Sequence, residues 1–119
     1  MVEFRVQDIP DLDGQIIIVT GGNAGLGYES VKQLSAHNPA RIYLAARSKE
    51  KADKAIQEIQ ATNSKLDNIK FLELDLASLE SVKAAAADFL RLETRLDILM
   101  NNAGIMMTAE GLTAEGHEI

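Results

Sequence analysis

The sequence has no cysteine. That excludes disulfide scaffolds, thiolate metal sites, iron–sulfur clusters and cysteine nucleophiles together. It has no tryptophan, and its aromatics are limited to Phe4, Tyr28, Tyr43, Phe71 and Phe89, too sparse a set for base-stacking platforms. The two histidines, His37 and His117, stand far apart and suggest no metal site. Basic residues are in the minority, 12 against 18 acidic, for a net charge of −6. Nucleic-acid binders and polybasic membrane anchors carry the opposite balance. Long hydrophobic runs are missing as well. Runs such as Ile16-Ile17-Ile18-Val19 are far short of a membrane span. Residues 1–12 carry Glu3, Asp8 and Asp11 and show no apolar leader, so the expectation is a soluble, cytoplasmic protein.

What is present fits one ordinary globular domain: 119 residues, 46% hydrophobic and 25% charged. A chain this long can bury one core but not two. We expect a single domain over residues 1–119, with residues 1–11 as an N-terminal extension. Glycine is unevenly spread. Five of the eight (Gly14, Gly21, Gly22, Gly25, Gly27) fall within the first 27 residues.

After that cluster, short β-branched runs alternate with longer periodic ones. Residues 15–20 form a continuous apolar run ended by Gly21-Gly22, a buried strand. Residues 24–37 read as a helix with Leu26, Val31 and Leu34 on its inner face and Asn38-Pro39 as its stop. Residues 41–46 make a second strand. Ser48 suits a helix N-cap, and Ala52, Ala55, Ile56 and Ile59 repeat at the spacing of one helix face. Residues 61–68 are polar and read as loop; residues 69–75 read as a third strand. Ser78 is a second cap candidate, with Val82, Ala85, Ala86 and Phe89 spaced along a helix that runs to about Arg95. Residues 96–100 make a fourth strand, residues 101–112 a loop, and Thr113 suits the cap of a further helix.

This β-α-β-α-β-α-β order predicts an α/β fold: a Rossmann-type parallel sheet covered by helices on both faces. Strands without alternation agree, because a parallel sheet is buried on both sides. Right-handed crossovers favour the order 3-2-1-4, with a crevice between strands 1 and 4 where the order reverses.

The chemistry concentrates in Thr20-Gly21-Gly22-Asn23-Ala24-Gly25-Leu26-Gly27, where a strand hands over to a helix. Gly21 permits the sharp exit from the strand. Gly25 lets the backbone approach a pyrophosphate. Gly27 allows close helix–strand packing, with the helix N-terminus facing the phosphates. The spacing Thr-Gly-x-x-x-Gly-x-Gly resembles the fingerprint of the short-chain dehydrogenase/reductase family. Three further segments match in order: Leu44-Ala45-Ala46-Arg47, Leu74-Asp75-Leu76, and Asp97-Ile98-Leu99-Met100-Asn101-Asn102-Ala103-Gly104. The ending Gly111-Leu112-Thr113-Ala114-Glu115-Gly116-His117-Glu118 looks like members near the retinol-dehydrogenase branch.

The resemblance implies NAD(P)(H) binding and hydride transfer to or from a small-molecule substrate. Carried over by position, Gly21, Asn23, Gly25, Leu26 and Gly27 hold the phosphate side, Asp75 and Leu76 border the adenine, and Asn101, Ala103 and Gly104 line the nicotinamide ribose. An acid at the end of strand 2 would accept from the ribose 2′-hydroxyl and repel a 2′-phosphate. Leu44, Ala45 and Ala46 offer none, and Arg47, with Ser48 beside it, offers a phosphate-binding fork. NADP(H) is therefore favoured over NAD(H). The glycine loop carries Asn23 and Ala24 where many NADP-using relatives place a second basic residue.

The family's catalytic Ser, its Tyr-x-x-x-Lys pair and a helical Asn would all fall beyond Ile119, so no catalytic residue is assigned within the sequence. Tyr28-Glu29-Ser30-Val31-Lys32 has the Tyr-x-x-x-Lys spacing, but it follows the glycine loop and is given no catalytic role. Met100, Met106 and Met107 read as packing residues. Two readings stay open. One is the nucleotide-binding half of an oxidoreductase, completed elsewhere. The other is a stand-alone binding module, or an isomerase- or cyclase-type enzyme, that reuses the fold. In either, strand 4 would be an unprotected edge that leaves Ile98 and Met100 without cover, which predicts a homodimer or a partner supplying further strands.

Overall fold

The computed structural model describes residues 3–63, 66–104, 111, 113 and 116. A 3-10 turn, Val6–Asp8, leads into β1 (Ile16–Thr20), α1 (Gly25–Ser35), β2 (Arg41–Ala46), α2 (Lys49–Thr62), β3 (Ile69–Glu73), α3 (Leu79–Leu92) and β4 (Ile98–Met100). The strands form one parallel sheet in the order β3-β2-β1-β4, as the alternation predicts.

Alternate residues of each strand face opposite layers. On one side Ile17, Val19, Ile42, Leu44 and Ala46 meet Val31 of α1 and Ala52, Ala55 and Ile59 of α2. On the other, Ile16, Ile18, Tyr43, Ala45 and Leu72 meet Ala85 and Phe89 of α3. Fully buried aliphatics such as Ile17, Ile42 and Ile59 each contribute about 1.5–3 kcal/mol. Ser48 and Ser78 cap α2 and α3 as their sequence positions suggest, accepting from the backbone N–H of Lys51 and Ser81, each at 3.2 Å. Asn38, at φ +69°, turns the chain after α1.

The segment before β1 is docked. Leu12 is buried and donates its N–H to the His37 carbonyl at 2.8 Å. Ile9 packs against the core of the α1/α2 side, and the Asp11 carboxylate accepts from the Asn38 amide at 3.3 Å.

Several expectations need correction. Leu26 does not face inward: it is 82% exposed, because it sits in the first turn of α1, at the mouth of the glycine loop, and Gly27, Val31 and Ser35 form the buried stripe instead. The helix stops at Ser35, short of His37. Ala86 is exposed and only Ala85 and Phe89 of that face are buried, because α3 rests on β2 and β3 along a narrow line. It ends at Leu92, before Arg95. Helix α2 continues to Thr62, into the segment read as loop. β3 ends at Glu73, where the chain turns away through residues 75–77, and β4 keeps only three residues. Ile98 and Met100 are not stripped of cover, since they lie on the α1 side and pack against that core. Leu99 is the uncovered residue, 50% exposed, because it faces the α3 side and α3 does not reach it. Met106, Met107, His117 and most of the expected loop and final helix lie outside the described residues.

One buried feature has no counterpart in the sequence motifs. Glu93 follows the last turn of α3 and is only 6% exposed. Its carboxylate accepts from both Arg41 Nε and, at 2.7 Å, Arg41 Nη2, and from the Tyr43 hydroxyl at 2.6 Å. Tyr43 also meets Phe89 edge-to-face, with ring centroids 5.4 Å apart. The clamp ties the end of α3 to the start of β2. The Arg41 guanidinium, aided by the Tyr43 hydroxyl, holds the Glu93 carboxyl below the usual range, against the opposing push of burial. Burial and Glu93 push the Tyr43 phenol up to about 12. A depressed carboxyl contributes stability above its unfolded pKa and loses it as pH falls through the folded value. Glu93→Gln is expected to cost about 1.5–3 kcal/mol at neutral pH, the range for hydrogen bonds to a charged group. Urea titrations should show that difference shrink as pH falls below the ordinary glutamate range. A constant difference would mean that Glu93 does not titrate through the clamp.

Candidate active site

A parallel sheet places the carboxyl ends of all its strands on one side. The loops after β1, β2, β3 and β4 therefore meet there, and with them the candidate residues from four distant stretches of sequence.

The loop after β1 is shaped by its glycines. Gly21 turns at φ +66° and donates its N–H to the Ala45 carbonyl at 2.8 Å. A Cβ on Gly22 would come 2.9 Å from Leu44 Cγ. A Cβ on Gly27 would overlap the Gly21 carbonyl and the Asn102 side-chain amide, which is the close packing expected at that position. Gly25 is different. It adopts φ +60°, yet beyond its own neighbours in the chain no atom of the described residues lies within 4 Å of where its Cβ would be. The space above Gly25 is open to a ligand. Unlike α2 and α3, α1 has no side-chain cap: its N-cap is Ala24, which makes no such hydrogen bond. The first-turn N–H groups of α1, at the positive end of its dipole, therefore point out beside the open Gly25.

Two side chains join this loop to the segment after β4. Buried Thr20 accepts from the Ala103 N–H at 3.0 Å and donates to the Met100 carbonyl at 3.4 Å. Asn102 donates its amide to the carbonyls of Thr20 and Gly21 at 3.2 and 3.4 Å. Asn102 was not among the sequence candidates, although its neighbours Asn101, Ala103 and Gly104 were. Two adjacent asparagines after a strand signal that one points inward, but not which. Asn101, Ala103 and Gly104 are exposed around the inward Asn102.

The other walls are present too. Arg47 is exposed directly after β2 and forms no ion pair with a described residue. Ser48 accepts from Lys51 as a cap, which leaves its O–H able to donate. Asp75 is held by its own turn: its N–H donates to Ser81 Oγ at 2.8 Å, and its carboxylate accepts from the Ala77 N–H at 2.9 Å. Leu76 beside it is exposed. Tyr28 is directed elsewhere. It packs on the α1/α2 core with its hydroxyl toward Glu58, and burial, then Glu58, raise its pKa. No group of three acidic, histidine or cysteine side chains among the described residues is placed to hold a metal. No helix among them is long and apolar enough to cross a membrane. Two shallow concavities, one lined by Ser35, Asn38 and Asn68 and one by Arg41, Tyr43 and Lys70, lie toward the opposite end of the sheet.

Comparison with known proteins agrees with this geometry. Residues 15–118 match the short chain dehydrogenase family, and the chain belongs to that family. It is 48% identical to a short-chain dehydrogenase/reductase of Armillaria gallica over 98% of its own length, and covers 37% of that relative. The chain thus spans little more than a third of the curated relative it matches. Among solved structures, it superposes on an uncharacterized protein from Mycobacterium paratuberculosis with a TM-score of 0.79 and 28% identity, covering 98% of this chain and 40% of that one. An NADPH-bound carbonyl reductase from chicken fatty liver gives 0.66 and 33%, covering 83% and 38%.

The two glycines that shape the loop should respond differently to a methyl group. Gly27→Ala must push apart packed backbone, and overpacking costs about 1–3 kcal/mol. Gly25→Ala meets no atom of the described residues beyond its chain neighbours and bears only the left-handed backbone penalty, about 1–2 kcal/mol. Thermal denaturation should rank Gly27→Ala as the less stable. The reverse order would mean that the loop relaxes around Gly27.

Proposed function

We propose that this chain forms the dinucleotide-binding part of an NADP(H)-dependent oxidoreductase acting on a small-molecule substrate. The observation that carries the reading is the uncapped N-terminus of α1 beside the open Gly25, a place where a pyrophosphate meets unpaired N–H groups and no side chain. In this reading Gly21, Asn23, Gly25, Leu26 and Gly27 cradle the phosphates. Asp75 and Leu76 border the adenine. Asn101, Ala103 and Gly104 line the nicotinamide ribose. When bound, the cofactor supplies or accepts the hydride, and these residues bind and orient it.

The preference for NADP(H) rests on the end of β2. Ala45 and Ala46 present no carboxylate to a 2′-phosphate, and the Arg47 guanidinium is exposed there and in no ion pair with a described residue, with the Ser48 hydroxyl as a second donor. The chicken-liver carbonyl reductase similar to this chain is described as NADPH-bound, which supports the choice. A cytosolic setting belongs to the same proposal; the cysteine-free sequence asks for no oxidising compartment.

The proposal extends to the outer edge of β4. The two outer strands differ in chemistry: β3 carries exposed Lys70 and Glu73, while β4 is Ile98-Leu99-Met100 with Leu99 half exposed. Charges protect an edge, and an uncharged apolar edge invites pairing. We therefore assign β4 a further strand, from a second copy of the chain or from a partner segment.

NADPH should bind more tightly than NADH, and Arg47→Ala should narrow the gap by about 1–2 kcal/mol, the scale of a charge-assisted contact. Titration of both cofactors tests it, and equal affinities in the unaltered protein would sink the assignment. Light scattering at micromolar concentration should give a dimer or a larger species. A clean monomer with protected amides across residues 96–100 would show that the edge is covered from within.

A further inference from the structure

The shortest strand of the sheet carries one wall of the site. β4 meets β1 through three pairs only, Ile17↔Ile98, Ile18↔Leu99 and Val19↔Met100, and residues 101–104 follow at once. Ile-Leu-Met is apolar at every position, so hydrophobic pattern cannot choose its register. A one-residue slip would exchange one apolar face for another, so burial alone gives little penalty against it.

The register has a separate anchor, one residue ahead of the strand. The Asp97 N–H donates to the Ile16 carbonyl at 2.9 Å. Its carboxylate accepts from the Ile16 N–H at 2.8 Å. One residue therefore occupies both main-chain groups of Ile16, and its side chain stands in for a ladder carbonyl. Arg95 steadies that carboxylate, with Nε 3.0 Å from Oδ2, and the Asp97 side chain is only 21% exposed. Arg95 and the Ile16 amide also hold the carboxyl below its usual range, so the acceptor is ionised at neutral pH. At the far end of β4, the Thr20–Ala103 bond and the two from Asn102 require this same alignment. A one-residue slip would move each donor about 3.3 Å along the strand, out of reach.

We propose that Asp97 is the register pin of β4: a positioning residue that, by holding both main-chain groups of Ile16, sets residues 101–104 at the height where they meet the glycine loop. Its functional consequence rests on the cofactor reading above. The pin itself is a statement about β4 and can be judged without a ligand.

The test compares Asp97→Ala and Asp97→Asn with Ile59→Val, or Ile59→Ala if needed to match the loss of thermal stability. Ile59 lies on α2, away from β4. Amide exchange and NADPH titration are read on each full chain. Asp97→Ala should lose protection at Ala103 and across β4 by at least about tenfold more than at β2, and weaken NADPH by about tenfold, a factor equivalent to about 1.4 kcal/mol. The Ile59 variant should do neither. Asp97→Asn keeps an acceptor for the Ile16 amide and should recover most of both. If Asp97→Ala does not fold, Arg95→Ala carries the comparison, with a smaller loss still confined to β4 and Ala103. Retained protection at Ala103, or a loss spread evenly over the sheet as in the control, overturns the pin. If the unaltered protein binds no NADPH, the cofactor reading falls, and the exchange pattern alone decides the pin.

Discussion

There is no room for a methyl group between the start of α1 and the end of β1. Gly27 lies so close to the Gly21 carbonyl and the Asn102 amide that a Cβ there would overlap both. The rest of the site depends on this contact. It brings the first turn of α1 down onto the strand ends. It also leaves the Gly21 carbonyl to be satisfied by Asn102, which in turn holds the segment after β4. A larger residue at 27 would lift the helix and break the Asn102 bridge in one movement. Close approach and hydrogen-bond satisfaction are here one constraint, because a buried carbonyl must find a donor.

That upper layer stands on anchors at the opposite end of the sheet. Glu93 fixes the end of α3 to Arg41 and Tyr43 at the start of β2. Four residues later Asp97 fixes the start of β4 to Ile16. The connection between them contributes little to the core, and Thr94, Arg95 and Leu96 are exposed. Polar contacts therefore do for β4 what hydrophobic patterning does for β1 and β2. They are directional, so they specify position where apolar burial, being non-directional, does not. The buried carboxylate of Glu93 illustrates the cost of that specificity. It is tolerable only because three donors surround it, and removing one partner of such a group is expensive.

Much of this was legible in the sequence, for identifiable reasons. β1 and β2 are continuous apolar runs ended by glycine or by a charged residue, and Ser48 and Ser78 stand where helix caps belong. These are local signals, and the observed elements follow them. The order β3-β2-β1-β4 follows from alternation and crossover handedness. Leu26 was misread because helical spacing alone cannot show that a first-turn residue overhangs the loop that precedes it. The reading of β4 from residue 96 is too long because Asp97 meets the Ile16 amide with its side chain rather than as a ladder residue. Glu93 and Asn102 were missed for one reason: their partners lie 50–52 and 81–82 residues away in sequence. A glutamate after an amphipathic helix normally faces water, and nothing near it in the chain indicates otherwise.

Electrostatics give the site its remaining direction. The chain is acidic overall, at −6, so a polyanionic dinucleotide meets a repulsive background rather than an attractive one. Local features must overcome it. The uncapped start of α1 supplies a fixed partial positive charge whose orientation is set by the backbone. Arg47 supplies a full one on the neighbouring strand end, in no ion pair with a described residue. Asp75, the nearest acid of the motifs, has its carboxylate engaged by the Ala77 N–H in a turn of its own. That carboxylate is thereby held within its own turn after β3. An acidic protein can hold an anionic cofactor in this way because at short range oriented donors outweigh net charge, which solvent ions screen beyond about 8 Å at physiological salt.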